Sequence, residues 1–164
     1  MTDKSGNAGK MGHGSPRKFV HNSGGGDANA PFLKTILVVD DNIVNRTILS
    51  KILSEQYTVL EAENGQVALE VLKRHSDEIS AVMLDLVMPV LDGYAVLKAI
   101  QKRNSYGNLP IVVTTGSDNH DHERKALSLG AWDFVSKPYD AQVILFRLKN
   151  AIARSQLTAL KELK

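Results

Sequence analysis

Residues 34–42 read KTILVVDDN, and this stretch decides the fold. Its apolar run, residues 36–39, leads directly into two adjacent acids, Asp40 and Asp41. Short runs rich in Val and Ile are typical of strands in a parallel sheet that is covered on both faces. Two neighbouring carboxylates at the end of such a strand repel each other, so a cation is expected close by to offset the repulsion.

The overall composition is that of an ordinary globular protein. The chain has 164 residues, of which 43% are hydrophobic and 23% are charged. Its formal net charge of +2 does not indicate nucleic acid or a membrane surface as a partner. Cysteine is absent, which excludes thiolate metal sites, and the sequence contains neither a secretory signal nor a membrane-spanning apolar run. We therefore expect a cytoplasmic protein.

Three segments differ in composition. Residues 1–31 are rich in Gly, Ser and Asn, and we predict a disordered tail or linker there. Residues 32–150 are predicted to form the folded domain, and residues 151–164 to extend its last helix. That helix is expected to pack on the sheet through Val143, Ile144, Leu145 and Leu148. Its extension is interpreted as a connector or short dimer-forming coil, with a frayed helix end as the alternative.

Strand-like and helix-like segments alternate along residues 34–150. The apolar runs TILVV, YTVLEA, SAVMLD, PIVVTT and DFVS are too short for helices, and segments with helical spacing separate them. This alternation predicts an α/β domain with five parallel strands and helices on both faces. Ligands of such sheets bind at the carboxyl ends of the strands, where the strand order reverses.

Polar side chains follow several of these strands. Asp40 and Asp41 follow the first strand, Asp85 ends the third, Thr115 ends the fourth and Lys137 follows the fifth. Carboxylates without His or Cys favour Mg²⁺, and an Asp can accept a phosphoryl group as an acyl phosphate. The ammonium and the hydroxyl can then neutralise phosphoryl oxygens. A plain helix N-cap is the alternative for the two adjacent acids.

The motifs ILVVDDN, MLDLVMPVLDGY, LPIVVTTGS and ALSLGAWDFVSKP occur in this order, each at the end of a predicted strand. With these motifs, residues 34 to 150 resemble a response-regulator receiver domain, the CheY-like phosphoacceptor of two-component systems. The resemblance implies a flavodoxin-like, doubly wound sheet of strand order 2-1-3-4-5 with five helices.

The resemblance also implies a phosphoacceptor and a metal site. Asp85 is expected to accept the phosphoryl group. Asp40, Asp41, Asp85 and the backbone carbonyl of Val87 are expected to hold Mg²⁺, with Mn²⁺ as a substitute. Where many receivers carry a polar side chain that orients a hydrolytic water, this chain has Val87, so we expect slow loss of the phosphate.

A second group of residues is implied to bind the phosphate and to switch. Lys137 is expected to bind the phosphate, and its peptide bond to Pro138 is expected to be cis. The Thr115 hydroxyl is expected to move toward the phosphate, followed by an inward turn of Phe134. Gly116 stands where the family usually has alanine. Thr114 is interpreted as an ordinary strand residue.

In such a protein the phosphoryl donor is a histidine kinase or a histidine phosphotransfer protein. Phosphorylation is expected to reshape the face formed by the fourth helix, fifth strand and fifth helix, which controls an output domain or a partner. A cyclic-dinucleotide enzyme is one candidate output, and a homodimer through this face or the C-terminal helix is another expectation.

Two rival functions use the same residues. The first is a pseudo-receiver, an interaction module that never takes phosphate. The second is a Mg²⁺-dependent phosphatase of the haloacid-dehalogenase type, with Asp85 as nucleophile. That enzyme class generally needs a second acid two residues after the nucleophile, and Val87 stands there. We therefore expect a signalling domain that catalyses only its own phosphorylation and dephosphorylation.

Overall fold

The computed structural model describes residues 33–103, 106–116 and 120–163, so the predicted tail at residues 1–31 lies outside it. Strands and helices alternate within these ranges, as the sequence predicts. Their order is β1 (Thr35–Val39), α1 (Ile43–Leu53), β2 (Thr58–Ala62), α2 (Gly65–Arg74), β3 (Ile79–Asp85), α3 (Gly93–Gln101), β4 (Ile111–Thr115), α4 (His120–Ser128), β5 (Asp133–Ser136) and α5 (Ala141–Glu162).

The five strands form one parallel sheet of order β2-β1-β3-β4-β5, which confirms the predicted strand order. The chain passes from β1 to β2 on one side and then crosses to β3 on the other. Val39 at the end of β1 therefore pairs with Leu84 near the end of β3. This reversal brings the carboxyl ends of β1 and β3 side by side, where ligands of such sheets bind.

Each face of the sheet carries its own hydrophobic core. Leu37 and Val39 of β1 belong to the core under α2, α3 and α4, whereas Ile36 and Val38 belong to the core under α1 and α5. Successive strand side chains point to opposite faces, so both cores draw on every interior strand. This arrangement explains why the apolar runs are continuous rather than alternating.

Helix α5 is long, as predicted, but its sheet-facing residues were only partly anticipated. Ile144 and Leu148 are buried against the sheet, and Leu145 is half-buried. Val143 is 43% exposed, so it lies at the margin of this packed face rather than inside it. The helix turns through about 100° per residue, which carries Val143 away from the stripe that contains its neighbour. None of the described helices has both the length and the apolar character needed to cross a bilayer.

Candidate functional site

Three carboxylates meet at the carboxyl edge of the sheet. Asp40 follows β1, Asp41 comes next, and Asp85 ends β3. One carboxylate oxygen from each lies within 4.8 Å of the others. Asp40 is fully buried and Asp85 is 6% exposed, whereas Asp41 faces solvent. Adjacent parallel strands end at the same edge, so the fold itself creates this cluster.

The Lys137 ammonium lies between two of these acids. Its Nζ donates to Asp40 Oδ2 at 3.1 Å and lies 3.3 Å from Asp85 Oδ1. The peptide bond between Lys137 and Pro138 is cis. One cation therefore offsets part of the repulsion between the buried carboxylates of Asp40 and Asp85.

Asp40 is held on both of its carboxylate oxygens. The backbone N–H of Asn42 donates to Oδ1 at 2.9 Å, and the Tyr139 hydroxyl lies 3.4 Å from Oδ2, beside Lys137. The N-cap of α1 is Asn42, whose side chain accepts from the N–H groups of Val44 and Asn45. The interpretation of Asp40 and Asp41 as helix caps is therefore wrong, because that position belongs to the next residue.

The environment of Asp85 raises its pKa above the ordinary value for an aspartate. Burial is the main cause, the charge of Lys137 opposes it, and the charge of Asp40 adds to it. The backbone N–H of Val87 also donates to this carboxylate and favours its charged form. The net effect is that the charged carboxylate of Asp85 is less favourable than in water.

The close approach of α3 completes this edge. A Cβ added at Gly93 would lie 2.3 Å from the backbone oxygen of Asp85. Only a residue without a side chain lets the start of α3 pass so near the end of β3. Asp92 caps the helix, accepting from the N–H of Ala95 at 2.8 Å.

Two threonines end β4, and both are buried with hydroxyls that find no well-formed hydrogen bond among the described residues. Thr114 pairs in register with Asp85, and Thr115 pairs with Ser136. Alternation along β4 places Thr114 on the α1/α5 side, where its hydroxyl lies against that of Tyr139. Thr115 lies on the other side of the sheet.

Phe134 shares the side of Thr115. It is half-buried and packs against the core under α2, α3 and α4, while the Arg147 guanidinium lies 5.3 Å from its ring centroid. The predicted switch pair therefore occupies one face of the sheet. Asp85 and Lys137 occupy the other face at the same edge, with Thr114 beside them.

Sequence reasoning missed Arg46. Its guanidinium donates to the backbone oxygen of Asp40 at 2.8 Å and to Glu61 Oε2 at 3.2 Å, and Ser50 donates to Glu61 Oε1 at 2.6 Å. Arg46 is nearly buried although it carries a charge. The available signal was a cation placed between the apolar positions of α1.

Tyr139 was also missed, although it follows the Lys137–Pro138 pair directly. Burial is the main cause that raises the pKa of its hydroxyl well above the ordinary tyrosine value, so the group remains a neutral donor toward Asp40.

The donor set fits Mg²⁺. The cluster offers hard carboxylate oxygens from Asp40, Asp41 and Asp85, and no His or Cys belongs to it. Mg²⁺ is usually bound by one or two carboxylates and keeps several waters, which leaves room for a phosphate. An α/β domain with this rim is suited to binding a metal-associated phosphoryl group.

Comparison with known proteins identifies the family. A family model described as the response regulator receiver domain matches residues 36–149. The chain is 38% identical over 123 residues to the response regulator MprA of Mycobacterium ulcerans. It is 36% identical over 114 residues to a probable cyclic di-GMP phosphodiesterase of Vibrio cholerae. The chain belongs to the response-regulator receiver family of two-component signalling systems.

A solved structure agrees with this assignment. The chemotaxis protein CheY4 of Vibrio cholerae superposes with a TM-score of 0.67 at 26% identity, covering 73% of this chain and 98% of the other. The matches to MprA and the phosphodiesterase cover 74% and 70% of this chain, and 51% and 25% of those proteins. The chain therefore spans about half of one relative and a quarter of the other.

Proposed function

We propose that this receiver accepts a phosphoryl group on Asp85 from a histidine kinase or a histidine phosphotransfer protein. The observation that carries the proposal is the position of the Lys137 ammonium, within 3.3 Å of both Asp40 and Asp85. An ammonium so placed is in reach of a phosphoryl oxygen on Asp85. The metal set in this proposal is Asp40, Asp41, Asp85 and the Val87 carbonyl.

The transfer balances without further reactants. An Asp85 carboxylate oxygen forms the new bond to phosphorus, and the bond from phosphorus to the donor's imidazole nitrogen breaks. The electron pair of that bond leaves with the imidazole, which can take up a proton from water. Bound Mg²⁺, or Mn²⁺ in its place, would neutralise charge on the phosphoryl oxygens.

The residues of this chain then hold the product. Lys137 neutralises one phosphoryl oxygen, and the Thr115 hydroxyl donates to another after moving toward it. The phosphoryl group brings about two negative charges to Asp85. Movement of Thr115 leaves space on the side that it shares with Phe134, whose ring turns inward. The face formed by α4, β5 and α5 changes shape, which is a shift between two packings.

The partner that reads this face is an output domain or a separate protein. Receivers as a class act between histidine kinases and such outputs, and one relative of this chain is named as a probable cyclic di-GMP phosphodiesterase. We therefore propose a cyclic-dinucleotide enzyme as a candidate output, in the cytoplasm. No direct contact with nucleic acid or membrane is part of the proposal.

The phosphate is expected to persist. The Val87 side chain is largely exposed beside Asp85 and cannot orient a water by hydrogen bonding. Phosphate loss from the wild type should therefore be slow, and Val87→Asn should accelerate it in a radiolabel decay measurement. A fast decay that the substitution leaves unchanged would contradict this.

The phosphoacceptor is tested by intact-protein mass spectrometry after incubation with Mg²⁺ and acetyl phosphate. We expect a gain of about 80 Da, one phosphoryl group, that requires Mg²⁺ and disappears in Asp85→Asn. Asp92→Asn is the matched control, because Asp92 is a carboxylate that caps α3, and it should still be phosphorylated. A wild type that gains no mass from acetyl phosphate or from a kinase donor would favour the pseudo-receiver.

A further inference from the structure

Asp40 is held by its backbone as well as by its side chain. Its N–H donates to the carbonyl oxygen of Ala62 at 3.2 Å, and its own carbonyl oxygen accepts from the Arg46 guanidinium at 2.8 Å. Ala62 is the last residue of β2, and Arg46 lies near the start of α1. The residue that follows β1 is therefore tied both to the neighbouring strand and to the helix after it.

Helix geometry explains why Arg46 reaches this carbonyl. Asn42 caps α1, and the N–H of Arg46 donates to the carbonyl oxygen of Asn42 at 3.0 Å. Side chains on a helix lean toward its N-terminus, so a long side chain at this position points back to the turn that precedes the helix. An arginine is long enough to reach the Asp40 carbonyl, which begins that turn.

A polar network supports the guanidinium on its other side. It donates to Glu61 Oε2 at 3.2 Å, and the Ser50 hydroxyl donates to Glu61 Oε1 at 2.6 Å. Ser50 lies four residues after Arg46, on the same face of α1. The side chain of Arg46 is only 11% exposed. A buried cation is unfavourable unless it is paired and hydrogen-bonded, and these contacts meet that condition.

Arg46 does not serve as a second counter-ion of the acidic cluster. In the described part of the chain its ion-pair partner is Glu61, whereas Asp40 and Asp85 share Lys137. The contact between Arg46 and Asp40 is made to the backbone carbonyl and not to the carboxylate. The cation therefore acts on the main chain that carries the acids.

We propose that Arg46 is a positioning residue of the metal site. Its contact fixes the Asp40 carbonyl and with it the planar peptide that joins Asp40 to Asp41, so the directions of both side chains follow. Asp40 is buried and Asp41 faces solvent, yet an oxygen of each lies within 4.8 Å of the other and of Asp85. The inference rests on the proposed Mg²⁺ site and adds a residue that supplies no ligand atom.

Two other roles of Arg46 predict different effects on Mg²⁺ affinity. If Arg46 only stabilises the fold, its replacement leaves the affinity unchanged. If its charge only repels the metal ion, a neutral replacement raises the affinity, because a positive charge near the acids is removed. Positioning of the acids is the role for which the affinity falls.

Isothermal titration of the full chain with Mg²⁺ separates these roles. Arg46→Gln should raise the dissociation constant about tenfold, because residues that orient metal ligands contribute on this scale. Arg74→Gln, on the surface of α2, removes the same charge and should bind Mg²⁺ like the wild type. So should Ile100→Val, which lowers stability through a core defect away from Arg46. An unchanged or higher affinity in Arg46→Gln would overturn the proposal.

A second measurement needs no metal. The N–H of Asn42 donates to Asp40 Oδ1 at 2.9 Å, so hydrogen exchange of this amide reports whether the Asp40 carboxylate stays in place. In Mg²⁺-free protein, Arg46→Gln should accelerate exchange at Asn42. Exchange at Ala95, whose N–H donates to Asp92 at 2.8 Å, should not change. Equal acceleration at both amides would show a general loosening of the fold and would contradict a positioning role.

The two measurements separate this inference from the proposed function. A wild type that binds no Mg²⁺ would refute the metal site, and the exchange of the Asn42 amide would still decide whether Arg46 holds Asp40 in place. Unaltered exchange at Asn42 in Arg46→Gln would refute the role of Arg46, whether or not the wild type binds Mg²⁺.

Discussion

The acidic half of the site, with Asp40, Asp41, Asp85 and Lys137, differs from its hydroxyl half, Thr114 and Thr115. The difference lies in how well the polar groups of each half are paired. In the acidic half, Lys137 and the Asn42 N–H already satisfy Asp40, and the same ammonium approaches Asp85. In the hydroxyl half, Thr114 and Thr115 are buried without a well-formed hydrogen bond among the described residues. A buried polar group left unpaired costs about 1–3 kcal/mol.

This difference indicates what each half would gain from a ligand. The acids and their one cation form a cluster that is only partly compensated, because the pKa of Asp85 stays raised by burial and by the charge of Asp40. The Thr114 hydroxyl lies against that of Tyr139, whereas the Thr115 hydroxyl lacks an acceptor among the described residues. A phosphoryl group on Asp85 would bring oxygens to this edge. We infer that a phosphoryl group would give the Thr115 hydroxyl its missing acceptor, whereas a cation in the acidic half would offset the repulsion that Lys137 leaves between the carboxylates.

The largest expected effect is a loss of Mg²⁺ affinity when Asp41, the exposed acid of the acidic half, is replaced. Asp41→Asn removes a charged oxygen ligand, so we expect Mg²⁺ affinity to fall about 100-fold, or about 2.7 kcal/mol. Isothermal titration with Mg²⁺ measures this. Asp92→Asn should bind Mg²⁺ like the wild type. An unchanged affinity in Asp41→Asn would exclude this carboxylate from the metal site.

The next largest effect is expected at Arg46, which donates to the backbone oxygen of Asp40. Arg46→Gln leaves the Asp40 carbonyl and Glu61 without their charged donor, and we expect the free energy of unfolding to fall by about 2 kcal/mol. Urea denaturation measures it. Arg74→Gln is the matched control, because Arg74 lies on the surface of α2, 4.0 Å from Glu70. Equal losses in both variants would show that the Asp40 contact contributes nothing.

The two threonines allow the same change on opposite faces of one strand. Thr115→Val replaces a buried hydroxyl that has no well-formed hydrogen bond among the described residues, so it should raise the free energy of unfolding by about 1 kcal/mol. Thr114→Val removes a hydroxyl that lies against that of Tyr139, so it should give a smaller gain. Only Thr115→Val should stop phosphorylation from altering hydrogen exchange in β5. If Thr114→Val also abolished that response, the hydroxyl role would extend to both threonines.

The sequence predicted the fold and the edge that carries the site, because alternating segments and rim positions follow from short-range pattern. The sequence pattern could not show which face of the sheet the side chains of Thr114 and Thr115 lie on. Strand β4 is apolar on both sides, so its pattern has no alternation to show which residue points where. The contact of Arg46 with Asp40 depends on the β1–α1 turn and on Glu61 of a neighbouring strand, which no local pattern reveals.

The smallest expected effect concerns the backbone that follows Asp85. Val90 has a φ of 69°, the one positive φ outside glycine among the described residues, and its side chain is 82% exposed. A β-branched residue is strained there, whereas Asn adopts this conformation more readily. Val90→Asn should therefore raise the free energy of unfolding by about 0.5–1 kcal/mol, measured by urea denaturation.

Val87→Asn is the control for this last change, because it places the same side chain in the same loop at a residue without positive φ. It should leave the free energy of unfolding unchanged. If both variants were equally stabilised, the gain would come from removing exposed apolar surface rather than from the backbone. A gain confined to Val90→Asn would show that the loop after Asp85 holds backbone strain. The acidic half would then also carry an unfavourable free energy, but from strain and not from unpaired polar groups.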